Sequence, residues 1–176
     1  MIRSLTAADR QPILDLLCAT GNFNSAELAI AAELIGIVID QPGQADYYSW
    51  VAEITGDNTP VLAGFLVIGP VPATAGSWHM YWIAVHPSSY GSGIAASLQS
   101  YAEGFVRSRC GYWLLAETSG QPGYQRARAF YRKHGYQQLA RVADYYKPSD
   151  DLILFGKRLA AQTPGDENES PLEARE

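Results

Sequence analysis

The spacing of apolar positions changes several times along the chain, and each change marks an element. Ile2 to Leu5 can form a short strand, and Thr6 followed by Asp9 is a helix start, since hydroxyl and carboxylate can satisfy free backbone N–H groups. A helix to about Cys18 is expected, then a break at Gly21–Asn22 and a second helix from about Ser25 to Val38. In that second helix Leu28, Ala31, Ile35 and Val38 recur at helical spacing. Asp40 to Gly43 reads as a loop. Three strand-like runs follow, Tyr47–Ile54, Val61–Ile68 and Trp78–Val85, separated by the breakers Thr55–Pro60 and Gly69–Pro72 as in an antiparallel meander. The period then returns to that of a helix, with Ile94, Leu98, Tyr101 and Phe105 on one face. Gly111–Glu117 reads as a strand and Ser119–Gly123 as a loop. Tyr124–His134 reads as a helix closed by Gly135, and Tyr136–Ala143 and Leu152–Lys157 as final strands. The predicted order is βααβββαβαββ, a single mixed α/β domain over residues 1–159. From residue 160 to 176 the chain turns polar and acidic, with Pro164 and Pro171, and reads as a disordered tail.

Composition narrows the class. Of the 176 residues 47% are hydrophobic and 18% charged, as in a soluble globular domain with a sizeable core. The net charge is −5, of which the tail carries −4 (five acids, one base). A broad nucleic-acid surface is therefore not expected. The most apolar window, Leu28–Ile39, contains Glu33 and Gly36 and is too short to span a bilayer. Arg3, Asp9, Arg10 and Asp15 interrupt the N-terminus, so no secretory leader is expected and the cytoplasm is the default setting. Cys18 and Cys110 have apolar neighbours and no metal-ligand spacing; both are expected to be buried and reduced, with no metal bound.

The segment richest in chemistry is Val85-His-Pro-Ser-Ser-Tyr-Gly-Ser-Gly-Ile-Ala95, where a strand enters a glycine loop and a helix begins. Glycines allow positive φ and close approach of a ligand to the backbone. The helix start offers unpaired N–H groups and a positive dipole end, which suit a pyrophosphate. A glycine turn without any ligand is the plain alternative. A second alternative is a dinucleotide fingerprint, since Gly91-Ser-Gly93-Ile-Ala-Ala96 fits it and Glu117 follows 21 residues after Ala96. Against that stand the five residues between Val85 and Gly91 and the meander in front of the loop.

The whole order resembles the GNAT family of N-acetyltransferases over about residues 2–158, which implies an α/β fold with a mixed, mostly antiparallel sheet and helices on both faces. That family's pyrophosphate pattern, Q/R-x-x-G-x-G/A, falls on Tyr90-Gly-Ser-Gly93-Ile-Ala95, with Gly93 and Ala95 matching and Tyr90 in place of Arg or Gln. Ala127-Arg-Ala-Phe-Tyr131-Arg-Lys-His-Gly135-Tyr136 looks like a second signature, A-x-x-x-Y-x-x-x-G-F/Y, and Tyr124 sits where many members have an Asn on the pantetheine arm. The resemblance implies acetyl-CoA as co-substrate and a small amine as acceptor, with neither nucleic acid nor membrane as partner and a homodimer left open. It further implies that Ile83, Ala84 and Val85 pair with the pantetheine like an added strand. The loop residues Tyr90, Gly91, Ser92, Gly93, Ile94 and Ala95 then hold the phosphates.

Acetyl transfer needs a neutral amine and a proton for the departing thiolate. An alkylamine, with pKa about 10.4, must lose a proton at pH 7. By resemblance Tyr131 is the acid that protonates the thiolate. His79 lies six residues before Val85, where histone and arylalkylamine acetyltransferases of the family carry a Glu or His taken as base. Glu117, at the end of the next strand, is the rival base; each could equally be a solvated or core-satisfied side chain. Arg126, Arg128, Arg132 and Lys133 read as a salt-laced exposed helix face, with coenzyme phosphate contact as the alternative. Tyr47, Tyr48, Trp50, Trp78, Tyr81 and Trp82 are strand core or an acceptor pocket. A non-catalytic acyl-CoA-binding domain remains the main functional alternative, ahead of a dinucleotide binder.

Overall fold

The structure, a computed structural model, describes residues 1–56 and 59–160. The strands are β1 Ile2–Ser4, β2 Tyr48–Gly56, β3 Thr59–Pro70, β4 Ser77–Val85, β5 Trp113–Ser119, β6 Gln137–Lys147 and β7 Asp150–Arg158. The helices are α1 Arg10–Thr20, α2 Ser25–Asp40, α3 Ile94–Ser108 and α4 Gln125–Lys133. The order matches the one read from the periodicity. The seven strands form one sheet in the order β1-β2-β3-β4-β5-β7-β6, and every pair is antiparallel except β4 with β5. A dinucleotide-binding sheet is built from parallel strands, so this topology removes that alternative. From residue 161 the acidic tail lies outside the described residues.

Alternation along the central strands divides the core into two layers. Val51, Phe65 and Val67 face Ile13, Leu16 and Leu17 of α1 and Ala31 and Ile35 of α2. Trp50, Ala52, Leu66 and Ile68 face the other way, onto Leu98, Ala102 and Val106 of α3. Helices therefore cover both faces. At Gly64 an added Cβ would come within 2.7 Å of Ile94 Cγ2 and 2.9 Å of Leu98 Cδ1, so this glycine lets the first turn of α3 sit directly on β3.

Local chemistry fixes the helix ends. Asp9 accepts from Thr6 N–H at 2.8 Å and Thr6 Oγ1 at 2.7 Å, and Arg3 holds both its carboxylate oxygens at 2.7 and 2.8 Å. Asn24 caps α2 by accepting from Ala26 and Glu27 N–H, and Glu27 accepts from Asn24 N–H in return. Gly21 closes α1 at φ +68°.

Two features depart from expectation. Cys18 and Cys110 are exposed, not buried. On α1 the buried stripe is Ile13, Leu16 and Leu17, and Cys18 falls past its edge. Cys110 sits in the turn that ends α3, with its N–H on Arg107 O at 2.9 Å. The β2–β3 hairpin is also longer than expected, its pairing reaching Gly56↔Thr59 and including Pro60.

Candidate active site

The site begins with an irregularity in β4. Val67 pairs with Trp82 and Ile68 with Met80, so Tyr81 is an extra residue in the strand. One inserted residue reverses the side-chain alternation. Trp78 and Met80 accordingly pack in the α3 layer, whereas Trp82 and Ala84 pack in the α1/α2 layer. Pairing of β4 with β5 runs only from Ser77↔Trp113 to Met80↔Ala116. Beyond it the strands part, and Tyr81–Val85 has no strand partner on the β5 side.

A cavity of about 730 Å³ opens at this split. Ile83, Ala84 and Val85 form one wall. Tyr90, Gly91, Gly93, Ile94, Ala95 and Ala96 form the floor, and Tyr124, Arg126, Ala127, Phe130, Tyr131, Lys133 and His134 the wall opposite. Gly91 and Gly93 take φ of +82° and +86°, and a Cβ at either would meet nothing within 4 Å, so the space above the loop is open. Gly93 is the N-cap of α3 and carries no side-chain cap, which leaves the first N–H groups of a fifteen-residue helix facing the cavity. Of the predicted loop residues Ser92 alone is turned away. Its N–H and Oγ both donate to Ser89 O, at 3.3 and 2.6 Å.

Tyr131 is 5% exposed, with its ring against Tyr136, Phe155 and Phe130. Burial pushes its phenol well above the ordinary tyrosine value, so it is protonated throughout the neutral range. Tyr124 reaches across the cavity mouth and donates to Asn22 O at 2.9 Å, joining the turn before α4 to the α1–α2 connection. That connection brings in Thr20, Asn22 and Phe23, which the sequence pattern did not single out; the only signal was the Gly21–Asn22 break.

His79 and Glu117 do not line this cavity. Trp78, Met80, Leu114 and Ala116 belong to the α3 layer, so His79 and Glu117 project from the opposite face of the sheet, at the mouth of the split. There the His79 ring lies 4.9 Å from that of Tyr81, which meets Tyr47 at 5.3 Å. Burial lowers the His79 imidazole below its ordinary value, and the Glu117 charge pulls part of the way back. Burial, and then the Glu117 charge, push the Tyr146 phenol up to about 12. Tyr48, Trp50 and Trp78, by contrast, stack with Phe105 of α3 as core.

The helix expected to be laced with salt bridges is not. Among the described residues no carboxylate pairs with Arg126, Arg128, Arg132 or Lys133. Arg128 donates to Ser119 O at 2.6 Å and Gln121 O at 2.9 Å, which fixes the β5–α4 connection. Arg126 lies over the Tyr90 ring, and Arg132 over Phe155. Among the described residues no helix is long and apolar enough to cross a membrane.

The sequence profile of the GNAT acetyltransferase domain matches residues 45–138, from the start of β2 into β6. No curated protein matches the chain. Among solved structures, a GNAT-family protein from Desulfovibrio desulfuricans is 30% identical, with a TM-score of 0.84 over 91% of this chain and 99% of that one. The ribosomal-protein-S18-alanine N-acetyltransferase of Escherichia coli is 16% identical at TM-score 0.71, covering 96% and 98% of the two chains. An aminoglycoside 6′-N-acetyltransferase complexed with coenzyme A is 17% identical at TM-score 0.67, covering 93% and 99%. With its split sheet, its glycine loop under α3 and these likenesses, the chain belongs to the GNAT family of acetyltransferases.

Proposed function

We propose that the protein is an acetyl-CoA-dependent N-acetyltransferase that acts on the amine of a small molecule in the cytoplasm. One observation carries the reading. A single cavity joins the unpaired edge of β4, the uncapped N-terminus of α3 and the Tyr131 ring. An extended pantetheine arm matches the first, phosphate the second and a departing sulfur the third. The residues present therefore fit the coenzyme. When bound, it supplies an acetyl group activated as a thioester.

The remaining chemistry belongs to the chain. The free N–H groups along Tyr81–Val85 orient the arm and polarise the carbonyl. The attacking nitrogen forms a bond to the acetyl carbon as the carbon–sulfur bond breaks. Tyr131 donates a hydrogen bond, and finally a proton, to the sulfur. Because burial raises its phenol, complete transfer requires that the same dry site raise the thiol as well. The proton lost by the amine goes to His79, which burial keeps neutral at pH 7, with Glu117 as the other candidate. Both stand at the mouth of the split on the face opposite Tyr131. An amine entering from that face meets a base before it meets the thioester. Tyr47, Tyr81 and Tyr146 surround this entrance and suit an amine on an aromatic or apolar frame.

Tyr90 and Tyr124, the two departures from the family pattern, favour one other reading, a domain that binds acyl-CoA without turning it over. Two assays separate these. Acetyl-CoA should raise the melting temperature, and an amine panel should contain compounds that accelerate release of free thiol. Thermal stabilisation without amine-stimulated thiol release would favour the binding domain, and no stabilisation would contradict both.

A further inference from the structure

We infer that Arg126 supplies the phosphate-binding cation of this site, held in position by the Tyr90 ring; this rests on the acetyl-CoA reading above. Residues His86 to Ala95 include no Lys or Arg, so the glycine loop offers a phosphate backbone N–H groups and hydroxyls but no lysine or arginine charge. The positive charge has to come from elsewhere, and α4 lies across the cavity from the loop. Arg126 Cζ stands 4.6 Å from the Tyr90 ring centroid, the shortest cation–ring approach among the described residues, and both residues line the cavity.

The other cations of α4 are less suited. Arg128 is engaged by two carbonyls, and Arg132 lies over Phe155 without lining the cavity. Lys133 lines the cavity from the last turn of α4, where the helix dipole already favours a cation. Arg126 sits in the first turn, where the dipole opposes it, and that turn contains no acid. Among the described residues no carboxylate pairs with it. Arg126 is thus an exposed cation with no carboxylate partner, in a turn the dipole disfavours, resting on an aromatic face that leaves its guanidinium donors free. A phosphate between Arg126 and the start of α3 would pair with this cation and with the positive end of the helix together. Tyr90, which would otherwise be a gap in the phosphate pattern, becomes the support for an arginine delivered from the opposite wall.

Calorimetric titration with coenzyme A, 3′-dephospho-coenzyme A and pantetheine tests this. Arg126→Gln should weaken coenzyme A binding by about tenfold, as expected on losing a charge-assisted contact, and leave pantetheine affinity unchanged. Equal losses for the first two ligands assign Arg126 to the pyrophosphate, and a loss for coenzyme A alone assigns it to the ribose phosphate. Tyr90→Ala should weaken coenzyme A binding more than Tyr90→Phe does. Adding Tyr90→Arg to Arg126→Gln should restore affinity, since the cation then rises from the loop itself. Unchanged coenzyme A affinity in Arg126→Gln, or an equal loss for pantetheine, overturns the inference while leaving the acetyl-CoA reading intact. A wild-type protein with no affinity for coenzyme A overturns both.

Discussion

In the proposed mechanism two side chains carry opposite ends of the proton path, and each has its own signature. Tyr131→Phe keeps the ring against Tyr136 and Phe155 and removes only the hydroxyl. Its kcat should fall about 10²-fold with coenzyme affinity little altered, the pattern of an interaction made in the transition state. Wild-type kcat under chemistry-limited conditions would remove Tyr131 from the mechanism. His79 is distinguished by pH. Its imidazole is lowered by burial, so kcat/KM should rise with pH through an ionisation below the ordinary value of 6.5 and level off by neutrality. The Glu117 charge holds that ionisation up, so Glu117→Gln should move the limb to lower pH, whereas His79→Gln should abolish it. If instead Glu117→Gln abolishes the limb and His79→Gln spares it, the carboxylate is the base. Sequence spacing could nominate both residues. It could not show that they stand together on the face away from Tyr131, because that depends on where β4 and β5 stop pairing.

At the scale of elements, the start of α3 and the start of α1 are the most exposed to test. Gly93 sits at φ +86° with open space around its Cα. Gly93→Ala adds backbone strain of about 1 kcal/mol and little else. Gly93→Glu adds the same strain and a negative charge at the proposed phosphate site, so its acetyl-CoA affinity should fall at least tenfold, about 1.4 kcal/mol. Equal affinities in the two folded variants would place the phosphate elsewhere. Asp9 is held at about 2, chiefly by its hydrogen bonds to Arg3. A carboxylate lowered on folding contributes stability that is full above its ordinary value of 3.8 and lost as pH falls toward 2. Asp9→Asn should therefore cost about 2 kcal/mol in urea unfolding at pH 7, with the difference shrinking below pH 4 and wild type and variant converging only as pH falls through about 2. A constant difference across that range would mean that the charge is not what Asp9 contributes. Thr6 and Asp9 were readable as a helix start from their spacing alone, and the glycine loop from its composition. The extra residue at Tyr81 was not. Trp78, Met80, Trp82 and Ala84 are all apolar, and a reversal of faces leaves no mark on a strand covered on both sides. The cysteines misled for a related reason: apolar neighbours in sequence do not place Cys18 on the buried stripe of α1.

For the whole molecule, the order of elements sufficed to predict one mixed α/β domain, since each change of period is local, and the family resemblance supplied the mostly antiparallel sheet with helices on both faces. The cavity is not local. It is assembled from the α1–α2 connection, β4, the glycine loop and α4, which meet only because one parallel pair in an otherwise antiparallel sheet comes apart after Met80 and Ala116. Thr20, Asn22 and Phe23 join the site for that reason alone. In the proposed reaction this opening carries an acetyl group from a thioester to an amine. The most direct test uses coenzyme labelled in its acetyl group, with an amine chosen from the panel, and counts label in the amine against free thiol formed. Equal amounts of both are expected, lost together in Tyr131→Phe. Label that stays on bound coenzyme, or appears as free acetate with none in any amine, would contradict it.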